Sequence, residues 1–127
     1  MLGEGIVSCT VRHSVDETVV RLEALLQEKG VKLFCVVDHS GEAAKAGLKM
    51  PNTKLLIFGN PAAGTPVMLA TPSAALDLPL KILVAEGTDG KTILSWNDAA
   101  WLRERHGFAE ELTAKLQAAG MFAKQME

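Results

Sequence analysis

Residues 58–84 read FGNPAAGTPVMLATPSAALDLPLKILV. The stretch leaves an apolar strand through Gly59, Asn60 and Pro61, crosses small residues punctuated by Pro66, Pro72 and Pro79, and enters a second apolar strand at Leu80. All of the chain's 5 prolines except Pro51 lie in it. Proline fixes φ and glycine permits φ > 0, so this connection reads as a shaped surface and not as a slack tether. Within it, Thr65 to Ala70 predicts a short helix with Thr65 as N-cap and Pro66 at the first helical position. Thr71 to Leu76 predicts one further turn of the same kind.

Working back from this stretch, Lys54 to Phe58 is a short apolar strand. Leu33-Phe34-Cys35-Val36-Val37 is another, too short and too β-branched for a helix, and its unbroken apolar run predicts a strand covered on both faces. Between them, Glu42 to Ala46 makes one or two helical turns. Upstream, Ser14-Val15-Asp16-Glu17 matches a capping box, and Val15, Val19, Leu22 and Leu26 repeat on one helical face until Lys29-Gly30. Val7, Cys9 and Val11 alternate with Ser8, Thr10 and Arg12 in the period of a half-buried strand.

Working forward, Leu80 to Glu86 and Lys91 to Trp96 flank Gly87-Thr88-Asp89-Gly90, which predicts a hairpin. Asn97-Asp98 caps a helix ending at His106-Gly107, and a last helix runs from Phe108 through Leu112, Leu116 and Ala119. The resulting order, β-α-β-(α)-β-β-β-α-α, predicts an α+β fold: one mainly antiparallel sheet of about five strands with two long helices on one face. If the first two strands run parallel in that sheet, His13 and His39 come to one end of it.

Composition narrows the partners. A chain of 127 residues, 48% apolar, is expected to form a single domain over 1–127. Its net charge of -2 with scattered Lys and Arg gives no basic footprint for nucleic acid. Met1-Leu2-Gly3-Glu4 lacks the start of a signal peptide and no apolar run is long enough to span a bilayer, so the expectation is a cytoplasmic protein without a membrane partner. Cys9 and Cys35 sit in strand patterns with no CxxC, which predicts two buried, reduced thiols.

The segments Asp38-His39, Phe58-Gly59-Asn60-Pro61, Gly64-Thr65-Pro66-Val67-Met68, Ala75-Leu76-Asp77-Leu78-Pro79-Leu80-Lys81 and Trp96-Asn97-Asp98, in that order, resemble the domain of unknown function 302 family of bacteria and archaea. The likeness covers nearly the whole chain. It implies a compact fold similar to the TATA-binding-protein-like arrangement, often as a homodimer, and it implies no activity. Where relatives usually show Tyr, this chain has Trp96.

Five residues make up the candidate ligand site: Asp38, His39, Asn60, Thr65 and Asp77, lining a pocket between the sheet end and the 60–79 connection. His39 with His13 are the ligands if a metal binds, since imidazole is useful at neutral pH once its tautomer is fixed. Each also has a plain structural use: Asp38 an Asx turn, Asp77 an anchor for the strand entry, His106 a cation at a helix C-terminus. Gly59 to Thr65 has the glycines of a phosphate loop but no Lys, so no nucleotide site is predicted. Three functions follow. The first is a small-molecule or metal-binding module, and the second an adaptor or homodimer burying the apolar 66–80 surface. The third is a small hydrolase- or isomerase-like enzyme with His39 as general base. The cofactor, the metal and the occurrence of catalysis are left open.

Overall fold

The computed structural model describes residues 3–127; Met1 and Leu2, on which part of the N-terminal reading rests, lie outside the described residues. The chain runs β1 (Ile6–Val11), α1 (Val15–Glu28), β2 (Lys32–Asp38), α2 (His39–Lys45), β3 (Thr53–Gly59) and α3 (Pro61–Ala70). A 3₁₀ turn over Pro72–Leu76 leads into β4 (Leu80–Glu86), β5 (Thr92–Asn97) and α4 (Ala99–His106). A second 3₁₀ segment, Glu110–Leu116, precedes α5 (Ala118–Gln125). The five strands form one antiparallel sheet in the order β1-β5-β4-β3-β2, an α+β architecture.

Register decides which residues enter the core. Phe58 pairs with Leu80, Leu56 with Ile82, Val84 with Leu94 and Val7 with Trp96, so these side chains share a face. α1 lays Val15, Val19, Leu22 and Leu26 on that face, all buried. α5 adds Phe122, whose ring centroid is 6.0 Å from that of Phe58. The Ser14 cap forms as its sequence requires, with the hydroxyl accepting from the Glu17 amide at 3.1 Å. Among the described residues no helix covers the opposite face, where one row runs Val37, Leu55, Leu83, Ser95, Ser8 and the next Cys35, Ile57, Lys81.

Several expectations change. β1 and β2 lie in one sheet, but α1 carries the chain across it and the two strands become its opposite edges. They run in the same direction, but four strand spacings separate them, roughly 19 Å. β2 is an edge strand and not a fully covered one, with Cys35 exposed and Phe34 46% exposed. Its pairing with β3 slips between Leu33 and Cys35, which makes Phe34 a bulge. The thiols are therefore not both buried; Cys9 is half-buried on β1.

α3 begins five residues earlier than the Thr65 cap predicts. Asn60 is its N-cap, with Oδ1 accepting from the Ala62 amide at 3.0 Å, and Pro61 takes the first helical position. Pro66 is consequently inside the helix, where it removes one main-chain donor. The last predicted helix is two pieces, the 3₁₀ segment and α5, joined at Gln117.

Candidate functional site

The predicted site residues fall at two ends of the sheet. Asp38 pairs with Lys54 at the start of β3, whereas Lys32 pairs with Gly59 at its end. A strand of six residue steps, roughly 20 Å at the usual rise, thus separates Asp38 and His39 from the 60–79 connection. Among the described residues the two groups do not come together in one pocket.

At the first end Asp38 caps α2. Its Oδ1 accepts from the Gly41 amide at 2.9 Å and from the Ser40 hydroxyl at 2.8 Å, and the Gly41 bond above all holds its carboxyl below the usual range. Asp16 of α1 reaches over to Asn52 at 3.0 Å and Lys54 at 2.9 Å. Its carboxyl is lowered first by the Asn52 bond and then by Lys54. His39 is exposed, and its ring has no hydrogen-bond partner among the described residues. His13 lies at the far edge with Glu17, 3.1 Å from Nδ1. The two histidines follow strands at opposite edges of the sheet, and among the described residues no three His, Cys, Asp or Glu side chains group as a metal site would need.

At the second end the connection encloses a cleft of about 170 Å³. Its walls are apolar: Phe34, aimed there by the β2 bulge, with Met68 of α3, Leu78 and Leu116. Asn60, Thr65 and Lys115 supply the polar groups. The structure therefore brings Asn60 and Thr65 together with residues that sequence reasoning did not assign, Phe34 and Lys115. Phe34 carries no signal in the sequence, because a bulge depends on the register of the partner strand.

Asp77 lies in the connection but does not line the cleft. Its Oδ2 lies 2.6 Å from His106 Nε2 and 3.6 Å from Arg105 Nε, and His106 Nδ1 lies 2.8 Å from the Ser73 hydroxyl. The His106 side chain is only 4% exposed and that of Asp77 16%. The last turn of α4 thereby grips both ends of the 3₁₀ turn. A carboxylate flanked by Leu76 and Leu78 must find donors if it is buried. That requirement was the one sequence signal for this contact, and it does not name His106.

The profile of the family described as Domain of unknown function DUF302 matches residues 7–121. The chain belongs to the DUF302 family. The crystal structure of an uncharacterized conserved DUF302 protein from Bacillus stearothermophilus is similar, with a TM-score of 0.84 at 17% identity. The match covers 98% of this chain and 100% of that one, and at this identity it speaks for the fold alone. Two curated relatives, each named Fluoride-specific ion channel FluC 1, come from Brucella suis and Brucella abortus. Both are 40% identical over 122 residues, which is 94% of this DUF302 chain but 48% and 45% of theirs. The chain thus spans about half the length of these relatives. Among the described residues no helix is long and apolar enough to cross a membrane.

Proposed function

We propose that this DUF302 domain binds a small, mostly apolar organic molecule in the cleft of the 60–79 connection. The observation that carries the reading is the cleft itself: about 170 Å³ with apolar walls and three polar groups at its margin. An apolar cavity of about 150 Å³ is enough to admit benzene, so the volume suits a ring or a short aliphatic chain. Asn60 spends its carbonyl on the α3 cap, which leaves its amide N–H groups as donors, and Lys115 adds a cation. An aromatic or aliphatic carboxylate meets both requirements. Asp38, His39 and Asp77 take no part in this site. We also propose that the module works in the cytoplasm without nucleic acid, supported by the net charge of -2 and the absence of a basic cluster.

Titration of ¹⁵N-labelled protein with benzoate and with phenylacetate tests the reading. Amide shifts are expected at Gly59, Asn60, Gly64 and Thr65, and they should vanish in Gly64→Leu, which fills the cleft from α3. Shifts that persist in that variant, or that centre on His39, would remove the site.

A second reading, a homodimer, is favoured by the uncovered sheet face. Val37, Leu55 and Leu83 form an aliphatic row at its middle, flanked by Ile57 and Ile93. The charge of Lys81 is folded away, with Nζ donating to the carbonyls of Asp77 and Pro79 at 3.1 and 3.2 Å. A face roughly 19 by 20 Å, met by its twin, gives roughly 760 Å² in total, so the interface must also take in side chains at the sheet's margins to reach the ~1,000 Å² that a stable one needs. The interface expected from sequence, residues 66–80, fits less well because Val67, Ala74 and Leu80 are buried within the chain. Sedimentation equilibrium should show a dimer at micromolar concentration that Leu83→Glu dissociates. A monomeric parent protein would end this reading.

A further inference from the structure

The Ser73, His106 and Asp77 contacts lie outside the cleft, and none of the three lines it. They have the order of a nucleophile, a base and a carboxylate that orients the base. The Asp77 carboxylate can only accept, so in the neutral imidazole the proton sits on Nε2 and is donated to Oδ2 at 2.6 Å. Nδ1 is then left as an acceptor, and the Ser73 hydroxyl is its 2.8 Å partner. His106 is enclosed, which holds the ring in this tautomer, whereas Ser73 is exposed and open to a reactant. Ser73 is the second residue of the 3₁₀ turn, so its amide has no acceptor within that turn, and a backbone donor beside Oγ is what a developing oxyanion requires. Side chains three apart eclipse in a 3₁₀ turn, which sets Leu76, 73% exposed, over the same face as Ser73.

We propose that Ser73 is an acyl-accepting nucleophile toward short-chain esters, with His106 as its general base and Asp77 as a positioning residue. Ser73 Oγ attacks the ester carbonyl while its proton passes to His106 Nδ1. The carbonyl carbon to leaving-oxygen bond breaks, and the leaving alkoxide takes the proton from Nδ1. Water then attacks the acyl-serine, giving its proton to Nδ1. Ser73 Oγ leaves with that proton, and the free acid departs. The acyl chain lies against Leu76.

The test uses the full chain with a fluorophosphonate probe read by intact mass, and with 4-nitrophenyl butyrate read as release of 4-nitrophenolate. One adduct per chain on Ser73 is expected. Ser73→Ala, an exposed change that leaves the fold intact, should abolish the adduct and the release. His106→Gln should slow both by roughly 100-fold, the usual contribution of a general base. Asp77→Asn should lower kcat at an unchanged KM, and a merely structural loss would instead appear as a lowered melting temperature with proportionate loss of signal. The proposal is overturned if the parent protein takes no adduct, or if Ser73→Ala reacts as fast as the parent. It is equally overturned if folded His106→Gln reacts at the parent's rate.

Discussion

Two glycines inside helices offer the same substitution in opposite surroundings. Gly64 lies in α3, and a Cβ built there meets Leu78 Cδ1 and Met68 Cε at 3.8 Å, ordinary contact distance. Gly64→Ala therefore gains helix propensity, about 0.8–1 kcal/mol, without displacing anything. Gly120 lies in α5, where the same Cβ would stand 2.9 Å from Trp96 Nε1 and 3.5 Å from Cε2. Trp96 is buried on β5 and its ring is not the loose end of a flexible side chain. Overpacking of this kind costs about 1–3 kcal/mol, which cancels or exceeds the propensity gain. The two variants should then differ by roughly 1–3 kcal/mol, with Gly64→Ala above the parent and Gly120→Ala at or below it. At roughly 2.1 cal/mol/K per residue, a chain of 127 residues shifts its melting temperature by about 4 °C per kcal/mol. Calorimetry should separate the variants by several degrees, and urea titration should move the midpoint at constant slope. If Gly120→Ala matches Gly64→Ala, the close approach of α5 to Trp96 is not as described and the packing of the last helix must be redrawn.

Three other outcomes follow from single contacts. Thr113 Oγ1 is buried without a partner, so Thr113→Val should stabilise the protein by about 1 kcal/mol in urea titration, and a loss would mean that the hydroxyl is satisfied. Burial first, and the Glu127 carboxylate second, push the Cys9 thiol up to about 11. At pH 8 only about one molecule in 10³ then carries the Cys9 thiolate, and iodoacetamide should label exposed Cys35 first; preferential labelling of Cys9 would contradict the burial. Asp16 and Asp38 have folded values below the ordinary 3.8. Their contribution is fully present above that value and lost as pH falls through the lower folded values. The Lys54 amine is raised above 10.5, chiefly by Asp16, so its share of the same contact persists below 10.5 and is lost as pH rises through the folded value. Asp16→Asn should flatten both limbs of the stability profile while costing at most about 0.5 kcal/mol at pH 7, and an unchanged acid limb would remove this account.

The parts of the fold that were legible are those governed by local rules. The α1 start rests on Ser14 and Glu17, three residues apart, and its buried face on a 3.6-residue period; neither depends on distant chain. The β4-β5 hairpin was likewise local, closed by the Gly87 amide on the Lys91 carbonyl at 2.7 Å, with Gly90 at φ 81. Sheet order was not local. An αβ crossover allows β1 and β2 to be neighbours or to be separated edges, and nothing in Val7 to Val37 distinguishes the two. The site reading failed on a different pair of strands, since placing Asp38 beside Asn60 required β2 and β3 to finish at the same end. They are antiparallel neighbours, so the end of one lies beside the start of the other.

The proline-rich connection owes its shape to contacts that begin far from it in sequence. Its first half is set locally, by Asn60 capping α3 and Pro61 opening it. Its second half is set by α4: His106 and Arg105 converge on Asp77, and His106 also reaches Ser73. Lys81 then takes the carbonyls of Asp77 and Pro79, drawing the strand entry back beneath the turn. Leu78 lies between these anchored residues and forms part of the cleft wall, as does Leu80 beyond them. A loss at His106 should therefore be felt on both sides of the segment, as lost reactivity at Ser73 and as a loosened wall around a bound carboxylate. A change at Gly64, on the α3 side, should reach only the cleft. The two effects separate because the walls of the cleft are anchored independently, one by a cap within the connection and the other by a helix that follows the sheet.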